Sequence, residues 1–192
     1  MPLPQPNPNR KRLHERKVVY QGFQRDDGLV DIEAQMTDIK DHDAMLASGT
    51  RAAGQPIHDM NIRVTVDRKF NVVEVVASSD AVPYPGGCEP ITPAYQQLVG
   101  LNLIKGFRHQ VTARLGSIHG CSHLTELTFG LPTAAIQTFA SFKKELDATI
   151  DKKPFQLDSC HALATTSETI RRYYPKWFRD PATTKKLLVN ES

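Results

Sequence analysis

Residues 17–40, KVVYQGFQRDDGLVDIEAQMTDIK, decide the fold. Two strand-like runs, 17–25 and 29–40, flank Asp26, Asp27 and Gly28, and an Asp-Gly pair between such runs is a strong hairpin signal. In the second run Val30, Ile32, Ala34 and Met36 alternate with Asp31, Glu33, Gln35 and Thr37. Successive strand side chains point to opposite faces, so the pattern describes a hairpin with one apolar and one wet face.

Downstream, residues 47–56 (ASGTRAAGQP) read as a loop by their Gly and Pro content. HDMNIRVTVD (58–67) and FNVVEVVASS (70–79) then repeat the strand pattern about Arg68 and Lys69, giving a second hairpin with Ile62, Val64 and Val66 on one face. From Pro90 the period changes to that of helices. TPAYQQLVGLN (92–102) and IKGFRHQVTARLG (104–116) carry apolar residues at three- and four-residue spacing, and residues 121–150 predict a long helix kinked or split at Gly130-Leu131-Pro132. Residues 151–163 return to loop, and a short helix around SETIRRYY (167–174) is expected to stop before Pro175. Strands followed by helices imply an α+β fold, two β-hairpins forming one antiparallel sheet with helices packed on one face. The expected boundaries are a Pro-rich and basic arm at 1–13, one α+β domain at 14–178, and a tail at 179–192.

Composition narrows the function classes. A chain of 192 residues with 40% hydrophobic content closes a core. Its net charge of +3, with both signs interspersed, leaves no nucleic-acid footprint. The one basic cluster, NRKRLHERK (9–17), follows the proline-broken MPLPQPNP and reads as a solvated arm. No apolar run approaches the roughly 20 residues of a membrane span, and the amino terminus lacks a signal peptide's apolar segment, so a cytoplasmic protein is expected. Three cysteines at wide spacing do not form a disulfide framework; in a reducing compartment they are free to act as ligands or nucleophiles.

The chemistry concentrates at GSIHGCSHLTEL (116–127), where His119, Cys121 and His123 occupy alternate positions. An extended segment puts all three on one side, whereas a helix beginning near Gly120 separates them and calls on His58 and Cys88 for further ligands. Cys88 lies in PYPGGCEP (83–90), a rigid turn between the second hairpin and the helices, and His58 opens a strand. Zinc and iron both accept mixed Cys and His sets. The candidate ligands are His58, Cys88, His119, Cys121 and His123, for one mononuclear Zn²⁺ or Fe²⁺. Glu126 is the candidate general acid or base beside such an ion. Cys160 with His161 forms a further thiol–imidazole pair. Asp38, Asp41 and Asp43 with His42 read as an acidic cluster explained by turn chemistry and solvation. Tyr84, Tyr95, Phe107 and Trp177 either line an organic-substrate pocket or belong to the core.

Two resemblances attach to these residues. DGLVDIEAQMTDIK, GQPIHDMNIRVTVD, VPYPGGCEP and GCSHLTEL, in that order, resemble a bacterial family described only as a domain of unknown function. The layout from 58 to 127, a hairpin, then GGCEP, then LVGLNLIKG, then HGCSHLTEL, is similar to the U-type iron–sulfur scaffold proteins (IscU, NifU and SufU). The second resemblance implies an IscU/NifU-like core in which Cys88 matches the scaffold's loop cysteine and Cys121 the cysteine that opens a helix. Its first cysteine falls at 56–59, where this chain offers His58 and Asp59. The expected function is therefore metal binding, as a metal-dependent hydrolase or lyase acting on a small organic substrate. The alternatives are a metal or sulfur carrier serving a partner protein, and a metal-free structural or binding domain.

Overall fold

The computed structural model describes residues 3–142, 153–154 and 156–180. The chain divides into two compact units, Met1–Ser141 and Phe142–Ser192. The first unit holds six strands: β1 (His14–Gln24), β2 (Val30–Lys40), β3 (Ala44–Leu46), β4 (Gly49–Arg51), β5 (Pro56–Val66) and β6 (Val72–Ala81). It also holds α1 (Phe107–Leu115), α2 (Ser122–Thr128) and α3 (Leu131–Ala140). The second unit contains α4 (Glu168–Tyr173), capped by the Ser167 hydroxyl on the Ile170 amide and followed by Pro175 as its sequence predicts.

Four strands form an antiparallel sheet in the order β1-β2-β5-β6. Both hairpins close where the turn residues place them; Gly28 supplies the left-handed φ of +82° that the first turn needs. The alternation of β2 sets the register. Val30, Ile32, Ala34 and Met36 lie opposite Val66, Val64, Ile62 and Met60 of β5, and all eight are buried. Onto this face pack α2 and α3, with Leu124, Leu127, Leu131 and Ala135 buried. The other face carries polar pairs such as Glu33 with Arg63. The result is the expected α+β arrangement, an antiparallel sheet with helices against its apolar face.

Three elements differ from the sequence reading, each for a local reason. Residues 44–51 form a small separate hairpin, β3 with β4, which overlaps the start of the loop expected at 47–56; three-residue strands are too short to show a period. Glu89–Leu98 is a 3₁₀ rather than an α-helix, because Pro90 and Pro93 each remove an amide donor. The long helix is divided: α2 ends at Thr128, and Pro132 sits in the first turn of α3, where its missing N–H is no loss. The expected continuation over 143–150, part of the loop at 151–163 and the tail from 181 lie outside the described residues.

One close approach joins the layers. Gly22 of β1 lies beneath Thr138 of α3, so that a Cβ there would overlap the threonine's Oγ1, Cγ2 and Cβ. The Cβ of Thr138 is fixed to the helix backbone and cannot swing aside. A glycine-to-alanine change inside a strand ordinarily gains about 0.5–1 kcal/mol, but Gly22→Ala is expected to cost about 1–3 kcal/mol through overpacking. A urea midpoint equal to that of the unaltered chain would contradict this.

Candidate metal centre

The site begins as a continuation of the core. On β2 the inward row runs Val30, Ile32, Ala34, Met36 and then Asp38, whose exposure is 2%. Opposite Asp38 lie Arg16 on β1 and His58 on β5, so three adjacent strands place a cation, a carboxylate and an imidazole in one transverse row. The Arg16 guanidinium grips the carboxylate with two parallel bonds, Nε to Oδ1 at 2.9 Å and Nη2 to Oδ2 at 2.8 Å. His14 Nε2 lies 2.8 Å from Oδ1 and His58 Nδ1 lies 3.0 Å from Oδ2.

These four contacts fix protonation. Burial alone would raise the Asp38 carboxyl, but the hydrogen bonds from Arg16 and His14, the Arg16 charge and the His58 bond outweigh it and hold the group far below the ordinary carboxylate range. An ionised carboxylate only accepts, so His58 donates through Nδ1 and keeps its lone pair on Nε2. A carboxylate offers roughly four lone-pair positions, and four donors occupy them. Asp38 is thereby committed to orienting its neighbours, as carboxylates behind ligating histidines do.

From the helix side, Cys121 is the N-cap of α2 with extended backbone, and His123 falls in the first turn. Buried Tyr95 fixes this start from both sides: its hydroxyl accepts from the Cys121 N–H at 3.1 Å and lies 2.8 Å from the Cys121 carbonyl oxygen. Burial pushes the Tyr95 phenol up to about 12, so it stays protonated. Cys121 Sγ is 4.0 Å from His123 Nδ1, and the His123 ring lies 3.9 Å from the His58 ring, tilted by 34°. A sulfur and a nitrogen on one tetrahedral zinc are about 3.5 Å apart, given bonds of about 2.3 and 2.0 Å. Donor atoms of Asp38, His58 and His123 all lie within 4.8 Å of one another.

Cys88 arrives by a third route. Gly86, at φ +78°, and Gly87 turn the chain after β6; the Gly87 and Cys88 amides donate to the Tyr84 carbonyl, and the Gly86 amide donates to Glu89. The turn delivers Cys88 to a cavity of about 370 Å³ that is also lined by His58, Cys121 and His123. His123 borders in addition a smaller cavity, about 150 Å³, with Arg16, Tyr20 and Glu126. Both Cys88 and Cys121 are half-buried free thiols.

The other sequence candidates are distributed differently. His119 is exposed, in a 3₁₀ turn at Ser117–His119, and does not line the larger cavity. Glu126 is exposed and lies 3.4 Å from Arg16. Cys160 and His161 are exposed in the second unit, which also holds Trp177. Tyr95 and Phe107 are core residues, whereas Tyr84 lies on the larger cavity. Asp38 overturns the solvation reading of the acidic cluster, for it is buried and charge-paired. Its signal was the period of β2, which extends to position 38 on the same face; His14 and Arg16 fall on the matching face of β1.

The two ring histidines are held below the ordinary histidine value. For His58 burial is the main cause, against the opposing pull of Asp38; for His123 it is burial, then the neighbouring His58 and Arg16. Both are therefore neutral at pH 7. A lowered folded value means the unfolded chain binds more protons, so stability falls as pH drops from about 6.5 through the folded values. The depressed Asp38 adds a second loss well below pH 4. The metal-free chain is thus expected to show a lower urea midpoint at about pH 5.5 than at about pH 7.5, with a smaller difference in His123→Gln. Equal midpoints would contradict it.

An α+β unit with a buried carboxylate behind two neutral imidazoles and two thiols defines the class of protein in structural terms. The chain belongs to the family described as protein of unknown function (DUF2889), which it matches over residues 14–137. That span covers every residue of the cluster and excludes Cys160. No curated protein and no solved structure matches the chain. Among the described residues no helix is long and apolar enough to cross a membrane.

Proposed function

We propose that this protein is a metal-dependent enzyme, a hydrolase or lyase, whose single Zn²⁺ or Fe²⁺ is held by His58, Cys88 and Cys121 and whose substrate is a small organic molecule. The observation that carries the reading is the convergence of two free thiols and two imidazoles on one cavity, from three separate segments. With His58 donating to Asp38, its remaining nitrogen carries a lone pair suited to a metal. His123, in contact with both Cys121 and His58, is neutral and able to accept a proton. An ion held by His58, Cys88 and Cys121 would have an open position and would supply Lewis-acid polarisation of a substrate oxygen or of water.

The donor set also bears on the carrier alternative. U-type scaffolds use three cysteines, whereas the cavity here presents two thiols and two imidazoles. That set suits one ion better than a cluster built by sulfur delivery. An IscU/NifU-like role therefore stands second. Elemental analysis of untagged protein is expected to give close to one zinc or iron per chain, and Co²⁺ replacement is expected to give the visible spectrum of a thiolate-ligated tetrahedral ion. No transition metal even after reconstitution would end the reading.

A further inference from the structure

We infer that the substrate of this cavity has an aromatic or similarly flat apolar body attached to a small metal-binding head group, and that Tyr84 and Ile118 form the clamp for that body. The inference deepens the metal reading and rests on the same cavity being the active site.

Three observations carry it. The first is the sorting of the lining: the thiols and imidazoles share the cavity with Met60, Pro83, Tyr84, Ile91 and Ile118, and no Asp, Glu, Lys or Arg lines it among the described residues. Beyond the ion itself, a phosphate-bearing or polyanionic substrate would find no cationic side chain among these lining residues. Arg16, which borders the adjoining smaller cavity, is bound in two places to Asp38.

The second is exposure without a structural reason. Ile118 is 86% exposed and Tyr84 59%, although neither contributes to the buried core. Each is held at the cavity by a local device. Ile118 projects from the Ser117–His119 turn, whose first residue adopts φ +56°, and Tyr84 is anchored by a carbonyl that accepts from two successive amides. Two large apolar side chains, fixed by such turns on the same cavity as a polar cluster, provide an apolar grip beside a reactive end.

The third is size. A dry cavity of about 150 Å³ accommodates benzene. The cavity here, about 370 Å³, has room for a ring plus a head group of a few atoms. Met60, almost fully buried, adds apolar surface to the lining.

The test uses two probes with the same metal-binding atom and different bodies, 1-phenylimidazole and 1-methylimidazole, titrated into the Co²⁺-loaded chain and followed by the cobalt spectrum. The phenyl probe is expected to bind at least about tenfold more tightly, since a buried ring removes well over 100 Å² of apolar surface from water. In the double variant Tyr84→Ala/Ile118→Ala the ratio is expected to fall to about twofold or less, with the cobalt spectrum of the probe-free protein unchanged. In parallel, ¹H–¹³C spectra of the metal-free chain are expected to show the Ile118 methyl and Tyr84 ring signals shifting with the phenyl probe only. Equal affinities on cobalt-loaded protein overturn the aromatic-substrate inference and leave the metal reading intact. If cobalt does not bind, the metal reading fails, and the metal-free spectra decide the clamp alone: no shift at Ile118 and Tyr84 overturns it.

Discussion

Asp38→Ala is expected to destabilise the protein by about 3 kcal/mol, the largest single-site loss in the sheet apart from gross core truncation. The change removes the acceptor of four hydrogen bonds and leaves Arg16, His14 and the His58 Nδ1–H facing a void. Removing one partner of a buried pair costs about 3–5 kcal/mol; the lower end applies because the Arg16 side chain is 35% exposed and regains some hydration. Asn is a poor rescue, since its amide nitrogen would face a donor whichever way it turns. Two measurements separate stability from site geometry. Urea unfolding reads the first. The second is zinc affinity, expected to fall about 10–100-fold because His58 loses the group that fixes its tautomer and ring orientation. In Asp38→Ala/Arg16→Ala the stability loss is expected to be smaller than the sum of the single losses, reporting direct coupling. Strict additivity would place the Asp38 contribution elsewhere.

Cys121→Ser is expected to have the largest effect on metal content. Serine keeps the shape of the N-cap but replaces a soft sulfur donor by a hydroxyl. The affinity loss should exceed the roughly 10–100-fold typical of an outer-shell partner. A 100-fold loss lowers metal-dependent stabilisation by about 2.7 kcal/mol at concentrations well above Kd. Metal occupancy and melting temperature are therefore expected to fall together in Cys121→Ser and in Cys88→Ser. In Cys160→Ser, at an exposed position of the second unit, both are expected to stay within error. Equal, negligible effects from all three substitutions would remove the metal site, and a dominant Cys160 effect would move it to the second unit.

The legibility of this chain in its sequence follows the range of the forces involved. Alternation within 29–40 and 58–67 sufficed for the two hairpins and their buried face, because that pattern is local and the burial it encodes is large. Cys88 and Cys121 could be singled out because a Gly/Pro turn and a helix start are also local signals. The pairing of Cys121 with His123, to the exclusion of His119, depended on where α2 begins, and the sequence left that open between two geometries. Least visible was the Arg16–Asp38–His58 row, whose members are 22 and 20 residues apart. Only the register of three strands brings them together, and an aspartate among neighbouring acids resembles a solvated turn until its face is known.

That row also answers a question about strand alignment. The inner faces of β2 and β5 are nearly uniform, with Val30, Ile32, Ala34 and Met36 meeting Val66, Val64, Ile62 and Met60. Sliding one strand by two residues would preserve the in–out alternation and exchange one aliphatic contact for another at small cost. The carboxylate removes that freedom. Shifted by two toward the middle of the sheet, Asp38 would take the place of Met36, opposite Val18 on β1 and Met60 on β5, as a buried charge with no cation beside it. A single polar position thus acts as an index mark on an otherwise repetitive ruler.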